Sequence, residues 1–148
     1  MATRSAIGFL EYDGTITGVY CHWDGYLEHN GKILLEHYSD TYKLLDLLEE
    51  GDISSLRPEI GEKHPFSPHG HGVDGMPSAK YEELYGNMTT FYGRDRGENC
   101  PAKDFPDATA FRSHYSDCQF FYLYDGKEWT YAERGRPYFN PVPMVVAA

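Results

Sequence analysis

The sequence predicts an α+β fold: an antiparallel sheet built from two Asp-Gly hairpins, with short helices packed on it. Three observations carry that reading. Asp13-Gly14 and Asp125-Gly126 each separate two runs of β-prone residues, the pattern of a tight hairpin turn. Between them the apolar residues recur at helical rather than alternating spacing. A lone hairpin cannot bury itself and such helices, so the two hairpins combine into one sheet.

The first hairpin joins 6–12 to 15–22. With a two-residue turn, alternation puts Ile7, Phe9, Ile16 and Tyr20 on one face and Leu10, Val19, Cys21 and Trp23 on the other. Asn30 caps a helix over 31–38, and Ser39 caps a second over 40–50 that ends at Gly51. Ile33, Leu34, Leu44, Leu45 and Leu48 supply their apolar stripes. Residues 58–77 collect proline, glycine and histidine without a sustained period and read as a mobile loop. Ser78 and Gly86 bracket a helix over 79–85, and Asp107 caps another over 108–115, whose Phe111 and Tyr115 face the sheet. The second hairpin joins 119–124 to 127–133 and gathers Phe120, Tyr122, Trp129 and Tyr131 as cross-strand aromatic pairs. The tail 140–148, with two prolines, reads as an irregular strap or edge segment.

A chain of 148 residues, 41% hydrophobic and 24% charged, has the composition of one globular domain spanning 1–148. The 13 tyrosines, 8 phenylalanines and 2 tryptophans supply large buried areas with hydroxyl handles. A net charge of -10 repels phosphate backbones, which argues against direct nucleic-acid binding and suits solvated helix faces. Cys21, Cys100 and Cys118 form no CxxC pair and no even disulfide set, pointing to reduced thiols in a cytoplasm. The first ten residues hold only a five-residue apolar run, too short for a signal-peptide core. No apolar stretch reaches membrane-spanning length, so no membrane is expected.

Two segments concentrate groups able to bind. In Cys21–Tyr26, Trp23 can stack on a planar ligand while His22, Asp24 and Tyr26 offer polar contacts; the competing structural reading is a core indole beside a turn-forming Asp24. In 91–98, Arg94 and Arg96 flank Asp95, and guanidinium forks recognise phosphate or carboxylate. Tyr92 adds a stacking surface there, and the competing reading is a loop held by its own ion pairs. The spacing of Gly93 and Gly97 fits neither a Walker loop nor a dinucleotide fingerprint. His64, His69 and His71 fall within eight residues but lack a visible fourth ligand, so no metal and no cofactor is expected. No nucleophile elbow or other catalytic signature is present.

The runs Thr3-Arg4-Ser5, Asp13-Gly14, Tyr20–Tyr26, Asn30–Leu34, Gly51–Leu56, Lys63–Phe66 and Thr90–Glu98 resemble an uncharacterised family of small tailed-bacteriophage proteins. That resemblance implies an accessory protein acting in the host bacterial cytoplasm, where small acidic phage proteins interfere with host machinery or immunity. Three functional expectations follow. The first is a counter-defence protein that binds a small anionic, nucleotide-like ligand through Arg4, His22, Trp23, Asp24, Tyr26, Tyr92, Arg94, Asp95 and Arg96. The second is an acidic inhibitor that binds a host defence protein, with nucleic-acid mimicry as one route. The third is a small nuclease or hydrolase using His22, Asp24 and 94–98, which no catalytic geometry yet supports, so the reading leans away from an enzyme. A homo-oligomer is compatible with all three.

Overall fold

A computed structural model describes residues 2–66, 72, 73 and 75–142. Among these, an open, mostly antiparallel sheet of eight strands runs in the order β10-β9-β8-β1-β2-β3-β6, with β7 added beside β2. Its centre is β1 (Ser5–Leu10) and β2 (Ile16–Cys21), paired antiparallel. On one side come β8 (Phe120–Tyr124), β9 (Trp129–Glu133) and β10 (Asn140–Pro141). On the other, β3 (Ile53–Ser55) continues from the end of β2 to β6 (Thr90–Phe91), while β7 (Lys103–Phe105) pairs with its start. The expected wholly antiparallel arrangement is corrected at two seams: β1 runs parallel to β8 and β2 parallel to β3. The two hairpins are therefore joined side by side in the same direction, which the long connection between them permits.

Turn length sets the register. Glu11 N–H donates to the Thr15 carbonyl at 2.8 Å, leaving the three residues Tyr12, Asp13 and Gly14 in the loop, one more than expected. Leu10 pairs with Ile16 and Ile7 with Val19, and this one-residue shift turns β2 over. Ile7, Val19 and Cys21 share one face; Ala6, Ile16 and Tyr20 share the other. In the second hairpin Asp125 N–H donates to Glu128 at 3.4 Å and Tyr124 pairs with Trp129, a shift of two that leaves the faces as expected. Tyr122 and Trp129 remain in one core, although Trp129 now lies against Tyr124, with ring centroids 5.2 Å apart.

Helices cover both faces. On the first, α1 (Lys32–His37) and α2 (Thr41–Glu49) set Leu34, Leu44, Leu47 and Leu48 against Ile7, Val19, Ile53, Phe91, Tyr122 and Trp129. Burying each such side chain stabilises the fold by roughly 1.5–3 kcal/mol. Leu45, expected in the stripe, points outward because 44, 47 and 48 already span the buried face. Asp40 caps α2 in place of Ser39, accepting from the Tyr42 and Lys43 amides, and Ser39 bonds back to the Leu35 carbonyl. On the second face α5 (Ala108–His114), capped by Asp107 as expected, lays Phe111 and Tyr115 over Ala6, Ile16 and Phe121. Gly18 makes room: a Cβ there would lie 2.6 Å from the Phe111 ring.

The first part of the region expected to be a mobile loop makes backbone contacts with 87–89. Glu59 exchanges backbone hydrogen bonds with Asn87 and Thr89. β4 (Gly72–Val73) and β5 (Met76–Pro77) form a small separate ladder leading into α3 (Ser78–Tyr85). His69 and His71, like 143–148 of the tail, lie outside the described residues.

Candidate functional site

The two nominated segments stand on either side of β3. His22 and Trp23 continue β2 by donating their amides to Ile53 and Ser54, and Tyr92 donates its amide to Asp52. The Tyr20 hydroxyl and His22 Nδ1 are 2.8 Å apart, and the His22 and Trp23 rings meet edge to face at 4.6 Å. Burial raises the Tyr20 hydroxyl above its usual range, opposed by the charge of Arg4. Burial likewise raises Tyr92, with Ser54 and Arg96 opposing it. Yet Ser54 Oγ is buried without a hydrogen-bond partner in ordinary geometry. The Ser54 and Tyr92 hydroxyls are neighbours.

Beyond Trp23 the chain turns a corner held by hydrogen bonds. Among the described residues, Asp24 is the sole non-glycine with positive φ, at 57°. Gly25 follows because a Cβ there would be 2.8 Å from the Thr3 carbonyl oxygen; its own amide donates to that oxygen and its carbonyl accepts from the Tyr122 hydroxyl at 2.6 Å. Leu27–Gly31 then form a π-helical turn, closed by Gly31 N–H on the Tyr26 carbonyl. This corrects the expected role of Asn30. Instead of capping α1 its side chain is fully buried, with Nδ2 reaching Ser5 Oγ, Cys21 Sγ and the Trp23 carbonyl at 3.2, 3.3 and 3.4 Å. Its Oδ1 meets His29 Nδ1 at 2.9 Å. The platform leaves Trp23 and Asp24 half-buried and Tyr26 and Glu28 exposed. Tyr26 donates to Asp24 Oδ1 at 3.3 Å.

The arginine segment is built differently. Residues 92–96 form the short helix α4 (Tyr92–Arg96), ended by Gly97 at φ 82°. Arg94 donates Nε to Asp95 Oδ1 at 3.0 Å, one terminal nitrogen to the Ile60 and Gly61 carbonyls at 2.9 and 3.2 Å, and the other to the Thr89 carbonyl and Asp95 Oδ2 at 2.9 and 3.2 Å. A guanidinium has five N–H groups, and these contacts engage all of them. Asp95 also accepts from the His64 and Phe91 amides. Arg94 and Asp95, expected among the ligand-binding residues, thus form an internal brace between 60–64 and 89–95. Arg96 meets Glu98 at 2.9 Å and lies over the Phe66 ring; Arg4, half-exposed, stands 3.9 Å from Asp117.

Comparison with protein-family models, curated proteins and solved structures gave no match. Function therefore has to be argued from this geometry. One cavity of about 470 Å³ lies beside Glu11, Asp13, Asp104 and Phe105, and another of about 450 Å³ beside Glu49, Glu98 and Cys100; Ser54 lines neither. Among the described residues no group of three or more His, Cys, Asp or Glu is placed to hold a metal, and no helix is long and apolar enough to cross a membrane. Asn30 and the Arg94 brace were invisible as such in the sequence, since their partners lie up to 34 residues away.

Proposed function

We propose that the chain is a binding protein that engages a basic surface on a partner protein, and that in the setting implied by the phage resemblance it is an inhibitor of a host protein in the bacterial cytoplasm. The observation that carries this reading is the fate of the guanidinium groups: Arg94 is consumed internally, and Arg4 and Arg96 each stand against a carboxylate. The chain as a whole carries a net charge of -10, and tyrosines 12, 26, 42 and 138 are exposed. Aromatic anchors supply contact energy, and the negative field steers a positive partner and rejects a negative one. The test is affinity capture from bacterial lysate at low and high salt, followed by reconstitution with the purified partner. A partner retained at low salt and released by high salt supports the reading. An empty column at low salt removes it.

Ser54 favours a second reading, in which a small flat anion is held beside Trp23 and Tyr92. Its buried hydroxyl, a neighbour of the Tyr92 hydroxyl, is the polar group such a ligand would engage. Heating the purified protein and analysing the supernatant by mass spectrometry tests this. A released nucleotide together with a thermal shift on adding it back would displace the first reading.

A further inference from the structure

We propose that the corner from Trp23 to Glu28 is the docking surface for an arginine- or lysine-bearing segment of the partner protein. The inference rests on the protein-binding reading above and adds a place and a chemistry to it. The Tyr26 ring, 37% exposed and edge to face with His29 at 6.2 Å, has the Asp24 carboxylate at its hydroxyl and Glu28 two residues further on. The Tyr26 hydroxyl is pushed above its ordinary range chiefly by the charge of Asp24, with burial next and Glu28 adding to it, so the negative field gathers at this ring. A guanidinium or ammonium laid on the ring would meet both the quadrupole of its face and two carboxylates, the combination that holds cationic side chains. An anionic group would be repelled by the same arrangement.

More hydrogen bonds hold this corner in place than hold the rings of Tyr12 and Tyr42. Tyr12 lies on a hairpin loop, and Tyr42 projects from the outer face of α2. The corner is pinned from beneath by Asn30, by the Tyr122 hydroxyl on Gly25 and by Gly25 N–H on Thr3. A positive φ at a non-glycine residue persists only where the surroundings enforce it, and such sites cluster where a structure holds a particular shape for use. A preformed surface loses less conformational freedom on binding, so more of the contact energy appears as affinity. The surface is open, which suits an extended segment and not an enclosed small molecule. The net charge of -10 favours a basic occupant at long range.

The probe is a short arginine-rich peptide, with a glutamate-rich peptide of equal length as control, titrated at low salt. Tyr26→Ala should weaken arginine-peptide binding about tenfold, and Asp24→Asn with Glu28→Gln by a comparable factor. Tyr42→Ala and Asp46→Asn on α2 should change it less than about twofold. Asp24→Gly relieves the backbone, so it keeps the fold while removing the carboxylate, and should weaken binding as Asp24→Asn does. Equal losses from the α2 variants would mean diffuse attraction and would overturn the proposal, as would free arginine competing as well as the peptide, or no binding at low salt. If the wild-type chain captures a partner protein and the corner variants capture it equally well, the docking surface is elsewhere and this inference fails while the binding function stands. If the wild-type chain captures nothing, the binding function itself fails.

Discussion

Arg94 grips Asp95 with two N–H···O contacts, at 3.0 and 3.2 Å, although the two are neighbours in sequence. The Asp95 side chain is fully shielded and that of Arg94 nearly so. Removing one partner of a buried pair leaves the other charged and uncompensated, which costs about 3–5 kcal/mol. Arg94→Ala should therefore lower the unfolding free energy by about that amount, which moves the urea midpoint down in proportion. Arg94→Lys should recover little, because an ammonium has three donors and no fork to span Ile60, Thr89 and Asp95 at once. Arg96→Ala, removing an exposed pair, should change stability by less than about 1 kcal/mol. Urea unfolding of the three variants checks the order, and an Arg96 effect as large as that of Arg94 would contradict it.

Asn30 makes a second buried brace, and its loss should act on the corner. Asn30→Ala leaves Ser5 Oγ and the Trp23 carbonyl without this donor, at a cost of about 1–3 kcal/mol. Asn30→Asp should be worse at neutral pH, because a carboxylate would face the Trp23 carbonyl in a buried site. Urea midpoints rank the variants. Tryptophan fluorescence in a Trp129→Phe background reports on Trp23 and so on whether the corner has loosened, and no change in either would mean that the side chain is dispensable.

How much of this was legible depended on whether an element announces itself locally. Asp107, Phe111 and Tyr115 contain the whole signal for α5: a cap and two apolar residues four apart. The position of the first turn was legible from Asp13-Gly14, but its length was not. One extra loop residue sufficed to move Ile16 and Tyr20 to the face opposite Ile7. β3, β6 and β7 run two or three residues each, too short for any period to show. The site divides in the same way. Trp23, Asp24 and Tyr26 could be nominated because they crowd one turn. The fate of Arg94 could not, since two adjacent residues of opposite charge look alike whether they await a ligand or hold carbonyls at 60 and 61.

The cysteines should differ sharply in reactivity. Burial shields Cys21 and Cys118 completely and pushes their thiols up to about 11 and about 12. Cys100 is half-exposed on a cavity wall, and burial with Asp52 and Glu98 nearby raises it too. Since the thiolate is the reactive form, alkylation of the folded protein should label Cys100 alone, and more slowly than an unhindered thiol. The other two should react only in denaturant. Peptide mapping by mass spectrometry reads the result, and early labelling of Cys21 would mean that the corner above it opens.

Asp52 gives the stability a pH dependence of definite sign. Its carboxylate accepts from the Tyr20 amide at 2.9 Å but is half-buried, and burial is the first cause of its raised pKa; the hydrogen bond, Lys103 and His114 act the other way. A folded value above the unfolded one means that the fold favours the protonated acid. The resulting stability is fully present below the ordinary carboxyl range and is lost as pH climbs through the raised folded value. Asp52→Asn keeps an acceptor for Tyr20 and removes the charge. The variant and wild type should therefore differ least in acid, and the difference should open in favour of Asn as pH rises and then level off. Urea midpoints from about pH 3 to about pH 8 span that window. If wild type instead gains on the variant with rising pH, the nearby positive charges outweigh burial and the sign is reversed.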